Sequence, residues 1–134
     1  MNPFSSKDQM NMPVGLSPRI AFGYLQDGAV ILDIRPEYET NYRAFDVPNV
    51  YLLSFSSYKE KLNEIPQEKL LIVADSVGLQ SSEVAGFLVK RGFSQVAYLV
   101  GGIVAWDKYG FPLIKNLNNE LHGGCACRLR PKKI

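Results

Sequence analysis

Two places in this 134-residue chain carry side chains able to do chemistry. The first lies near the C-terminus, where His122-Gly123-Gly124-Cys125-Ala126-Cys127-Arg128 sets one imidazole and two thiols beside several cations. Arg128 and Arg130 favour thiolate over thiol, and the thiolate is the form that attacks sulfur or binds metal. A persulfide formed on one cysteine could be released by attack from the other, although a ring closed across a single residue is strained. The same group is a candidate soft-metal site for zinc or copper. His122, Cys125 and Cys127 supply three ligands, whereas structural zinc wants four. A tail whose thiols have no catalytic duty is the third reading. The second place is Asp75-Ser76-Val77-Gly78-Leu79-Gln80-Ser81, a loop between an apolar run and a helix-period pattern. The amides of such a loop converge on one point, a ready site for an anion or a nucleophile, and what stands there is the carboxylate of Asp75. Asp75 either fills its own anion site or simply caps the following helix. Aspartyl phosphoryl transfer would want a second acid for a metal, and the loop has none.

The elements that must position these groups can be read from pattern. Leu70 to Ala74 is an unbroken apolar run, the mark of a strand buried on both faces inside a parallel sheet. Gly78 suits a backbone conformation that other residues resist, and Ser81 or Ser82 is expected to cap a helix carrying Val84, Phe87 and Leu88 on one face. Lys90 and Arg91 suit its C-terminus, and Gly92 closes it. Earlier, Ser17-Pro18 opens a short helix that ends near Asp27-Gly28. Ala29 to Ile34 is a second doubly buried strand, Glu37 to Asn41 a helical turn, and Asn49 to Leu53 a weaker strand. A helix is expected from Ser56 or Ser57 through Leu62, with Lys59, Glu60, Lys61 and Glu64 solvated, until Ile65-Pro66 stops it. Gln95 to Leu99 gives another strand, and Gly101-Gly102 leads into a short helix with Val104, Ala105 and Trp106. Strands alternating with helices at this spacing predict a three-layer α/β domain: a central parallel sheet of four to five strands with helices on both faces.

These residues together resemble the rhodanese-like (sulfurtransferase-fold) family over residues 16–115. Asp33-Ile34-Arg35-Pro36 is similar to the family's Asp-Val-Arg-Pro, Gly92-Phe93 to the pair ending the helix after its active loop, and Gly101-Gly102-Ile103 with Trp106 to its Gly-Gly-x-x-x-Trp. The loop matches at Gly78 and Ser81. The resemblance implies that Asp75 stands where the family carries a cysteine, and that Asp33 and Arg35 are framework residues orienting backbone near the loop. Two departures stand out. Asn41 to Pro48 replaces the family's Gly-His-Ile-x-Gly-Ala segment, and the active-loop arginines are Ser76, Leu79 and Gln80. In the altered segment, Tyr42, Arg43 and Asp46 either rim a recess over the loop or lie in a solvated loop.

The net charge of +2 is a property of the tail. Arg128, Arg130, Lys132 and Lys133 lie in the last seven residues with no acid, and the remainder, with 11 basic against 13 acidic residues, is net negative. Nothing points to nucleic acid, and no apolar stretch approaches a membrane span. Residues 1–15 lack the apolar centre of a signal peptide and read as a flexible N-terminal arm. With both cysteines two positions apart there is no disulfide framework, and a cytoplasmic location is the default. The expected organisation is an arm over 1–15, the domain over 16–115, and a basic Cys-x-Cys tail over 116–134. The functional expectation is a variant family member that lacks the loop nucleophile and handles persulfide sulfur through Cys125 and Cys127, with a sulfur donor or acceptor protein as partner. The alternatives are a non-catalytic binding or regulatory module, or soft-metal binding by the tail.

Overall fold

The apolar run at the centre of the chain becomes strand β5, Leu71–Ala74, and its side chains alternate between two separate cores. Ile72 and Ala74 enter one, Leu71 and Val73 the other, which is why the run shows no polar position. The computed structural model describes residues 12–115. In chain order these form β1 (Val14–Leu16), α1 (Pro18–Gln26), β2 (Val30–Asp33), α2 (Glu37–Thr40), β3 (Arg43–Phe45), β4 (Val50–Leu52), β5, α3 (Ser81–Lys90), β6 (Val96–Leu99), α4 (Gly102–Lys108) and β7 (Leu113–Lys115). The main sheet has five strands in the order β1-β6-β5-β2-β4, every pair parallel. A second, two-stranded antiparallel sheet pairs β3 with β7.

Helices cover both faces. On one, α1 brings Ala21 and Leu25, α4 brings Ile103 and the fully buried Trp106, and β3 brings Phe45. On the other, α3 brings Val84, Ala85 and Leu88, joined by Tyr58 and Ile65. The α1 start follows its sequence signals: Pro18 is the first helical residue, and Ser17 Oγ accepts from Ile20 N at 3.3 Å. At the end of α3, Gly92 takes φ +102°, and Phe93 N donates to Leu88 O.

Four expectations are corrected. The sheet takes in Val14 and Gly15, paired with Ala97 and Tyr98, so these two belong to the domain and not to an arm; residues 1–11 of the expected arm lie outside the described ones. The helix from Ser56 or Ser57 to Leu62 is replaced by two 3₁₀ turns, Tyr58–Glu60 and Leu62–Glu64. Tyr58 and Ile65 are buried there and Leu62 packs only partly against the core, too small an apolar stripe to hold a regular helix against Pro66. Neither Ser81 nor Ser82 caps α3: Gln80 holds the N-cap position and Ser81 is the first helical residue. Finally, Arg43 is in a strand rather than a solvated loop.

Candidate functional site

Strand β5 connects through α3 to β6 on one side of the sheet, whereas β2 leads to β4 on the other. The direction of winding therefore reverses between β5 and β2, and a crevice opens beyond the C-terminal ends of adjacent strands at such a point. Asp75 directly follows β5, while Asp33 ends β2 and Arg35 lies two residues on. Register sets Asp33 beside Ala74, and Ile34 N donates to Ala74 O at 2.9 Å.

Asp75 is 4% exposed, and its carboxylate accepts three backbone bonds. Gly78 N donates to Oδ1 at 2.6 Å, and Gln80 N and Ser81 N donate to Oδ2 at 2.6 and 3.1 Å. These charge-assisted bonds close the loop around its own anion and satisfy amides at the start of α3 that have no partner within the helix. Asp75 thus does both things that its sequence context allows: it fills the anion site and it caps the helix. Ser81 Oγ is fully buried and has no hydrogen-bond partner among the described residues.

A floor supports the loop from beneath. Ile103 N donates to Asp75 O at 2.9 Å and Val104 N to Ser76 O at 3.1 Å, so the first turn of α4 spends its unpaired amides on the loop carbonyls. The approach requires Gly102, at φ +64°, because a Cβ there would stand 2.4 Å from Ser76 O. The adjacent glycines were the sequence signal for this contact, legible as a turn but not as the floor of a loop.

Asp33 and Arg35 form a buried, two-point ion pair, with Nε to Oδ1 at 2.9 Å and Nη2 to Oδ2 at 2.8 Å. Arg35 also donates from Nη2 to Arg43 O at 2.9 Å and from Nη1 to Glu39 O at 3.5 Å. Its guanidinium thereby ties the backbone of α2 to that of β3. Arg35, Tyr38, Glu39, Tyr42, Arg43, Ser76 and Ile103 line a recess of about 300 Å³. Tyr42 and Arg43 therefore rim it as the sequence allowed, while Asp46 is not among its lining residues. Arg43 is held by Asp107 at 2.7 Å, with Lys115 at 3.7 Å from the same carboxylate oxygen. Of the other loop residues, Val77 and Leu79 are exposed, Leu79 at 81%.

His122, Cys125 and Cys127 lie outside the described residues. As they are the chain's only histidine and its only cysteines, the described loop and recess contain neither thiol nor imidazole. Among the described residues no cluster of three metal-ligating side chains occurs, and no helix is long and apolar enough to cross a membrane.

A family model for the rhodanese-like domain matches residues 23–109. The chain belongs to the rhodanese-like family. Its relatives include the thiosulfate sulfurtransferase GlpE of Actinobacillus pleuropneumoniae serotype 5b (strain L20), 32% identical over 100 residues that cover 73% of this chain and 90% of that one. The GlpE of Haemophilus influenzae (strain PittEE) is 30% identical over 102 residues, covering 73% and 91%. Among solved structures, the polysulfide-sulfur transferase homodimer of Wolinella succinogenes shares the fold with a TM-score of 0.71 at 24% identity, covering 87% of this chain and 91% of that one. A rhodanese-related protein of Thermoplasma volcanium does so with a TM-score of 0.68 at 21% identity, covering 75% and 97%. The rhodanese-like domain described here thus has sulfurtransferases for relatives, and its five-stranded parallel sheet is the fold of its structural neighbours.

Proposed function

We propose that this rhodanese-like protein handles sulfur without holding it on the family's loop. The carrying observation is the Asp75 carboxylate, whose two oxygens take all three converging amide bonds. A carboxylate cannot hold a transferable sulfur atom as a thiolate does, and Asp75 keeps the cradle closed to any group that could. Sulfur transfer then falls to the two cysteines the chain has, Cys125 and Cys127. The thiolate of either attacks the outer sulfur of a donor persulfide; the new S–S bond forms as the old one breaks, and the donor leaves as its thiolate. Arg128 and Arg130 raise the fraction of attacking thiolate. The names of the relatives, thiosulfate sulfurtransferase and polysulfide-sulfur transferase, support sulfane sulfur as the cargo. The partners are a protein that donates the sulfur and one that accepts it.

The competing reading is a non-catalytic binding module, favoured by the exposure of Leu79 and Tyr38 beside the recess. Intact-mass measurement after treatment with a small-molecule persulfide donor separates the two. A gain of one sulfur atom that disappears in the Cys125→Ser/Cys127→Ser double variant supports sulfur handling, and no gain on unmodified protein supports the module. Thiosulfate-to-cyanide turnover that survives the double variant would show a nucleophile elsewhere and overturn the assignment.

A further inference from the structure

The recess beside the Asp75 loop has a shape, a charge and a neighbour that together select an occupant. Its two cations are already committed: Arg35 to Asp33, and Arg43 to Asp107. The third charged residue of its lining, Glu39, has no ion pair among the described residues, and Glu37 stands exposed on the same short helix. The uncommitted charge at the rim is negative. Tyr38 and Tyr42 line the same recess at 74% and 61% exposure, offering ring faces on which a guanidinium can stack. A cationic, arginine-bearing segment fits this combination better than an anion or an apolar peptide.

The last described residue of the chain lies beside the recess. Strand β7 ends at Lys115, which pairs antiparallel with Arg43 of the recess lining. Nineteen residues follow, 116–134, with no acid after Glu120 and four cations from Arg128 onward. Ten residues separate Lys115 from Cys125, a span of up to about 35 Å when extended, which is ample for a recess at the strand's own edge.

We infer that the recess is the docking site of the chain's own C-terminal segment. Arg128 and Arg130 engage Glu39, Glu37 and the faces of Tyr38 and Tyr42, and this holds Cys125 and Cys127 over Ser76 and the closed Asp75 loop. The inference deepens the proposed function and rests on it only for the purpose of the thiols, not for the docking. The surface that in other family members faces a loop thiol would here face a thiol delivered from the tail.

Disulfide trapping in the full-length protein tests the docking. In a Cys125→Ser background, which leaves Cys127 as the single tail thiol, Ser76→Cys places a second thiol at the recess. Leu79→Cys provides another position on the same loop should Ser76→Cys fail to fold. Ser94→Cys, exposed at the opposite end of the sheet before β6, is the control, since a freely moving tail would reach it too. Under a mild oxidant at micromolar protein, the intramolecular disulfide should form about ten-fold faster at position 76 or 79 than at 94, because docking raises the local thiol concentration. Glu39→Lys should bring that ratio towards one. Equal rates at the loop and control positions, or disulfides formed only between chains, overturn the inference. Trapping without sulfur uptake from a persulfide donor would leave the docking standing and remove the sulfur-handling reading; uptake without selective trapping would do the reverse.

Discussion

Gly102 lies so close to Ser76 that a single methyl group on it would stand 2.4 Å from the Ser76 carbonyl oxygen. Gly102→Ala therefore meets backbone rather than a yielding side chain, and does so at φ +64°. The clash and the left-handed conformation together should cost about 2–5 kcal/mol. Gly28→Ala, at φ +105° with nothing within 4 Å, should cost only the conformational part, about 1–2 kcal/mol. Urea unfolding of the two variants checks the contrast, and equal costs would show that the loop floor is not the constraint.

Replacing the Asp75 carboxylate by the neutral amide of Asp75→Asn removes the charge from three backbone bonds, two of them short, and puts a donor where only acceptors fit. A loss of about 1.5–3 kcal/mol in denaturant unfolding is expected. In a background lacking Cys125 and Cys127, Asp75→Cys should place a thiol at the focus of the same amides, and it should alkylate faster near neutral pH than an ordinary cysteine. An ordinary, slow thiol would mean that the amides converge only because a carboxylate draws them in.

The Asp33–Arg35 pair is sealed from solvent on both sides, so truncating one partner strands the other. Arg35→Met should destabilise by about 3–5 kcal/mol by leaving Asp33 buried and unpaired, and Asp33→Leu combined with it should recover part of the loss. The double-mutant cycle measures the coupling directly. Additive losses would assign the stability to packing rather than to the ion pair.

Tyr58 is 2% exposed, and burial, with a smaller contribution from Glu83, pushes its phenol above the ordinary value of 10. In the unfolded chain the same phenol ionises near 10, so above that pH the folded state binds the extra proton. Its contribution to stability is complete below pH 10 and is lost as pH climbs past that value. The difference between the ultraviolet titrations of the parent and Tyr58→Phe should show the Tyr58 phenol ionising above 10, and Tyr58→Phe should flatten the alkaline fall in stability.

The parallel core was legible because its strands are buried on two faces: Leu71 to Ala74 and Val30 to Leu32 show it as unbroken apolar runs. The three-residue strands β1, β3 and β7 gave no such signal. Val14–Leu16 is too short for periodicity, and Arg43–Phe45 gains its partner, Leu113–Lys115, from the far end of the domain. The loop was legible from Gly78 and the helix after it. Asp75 as a cap for that helix was one of its two sequence readings; that it would reach six residues forward and leave Ser81 as a helical residue without the capping role was not legible, because such a reach depends on the folded path of the loop. The joint position of Asp33, Arg35 and the recess likewise follows from where β2 and β5 end, a property of strand order rather than of local sequence.

Because Asp75 is tethered, the occupant of the amide cradle obeys no mass action. A cradle waiting for a free anion would be stabilised by RT ln(1 + [L]/Kd), and its melting temperature would climb with sulfate, phosphate or thiosulfate in the buffer. Here the ligand travels with the chain. It cannot be diluted, outgrown or washed away, and the order of the loop is the same in a cell starved of such anions as in one replete with them.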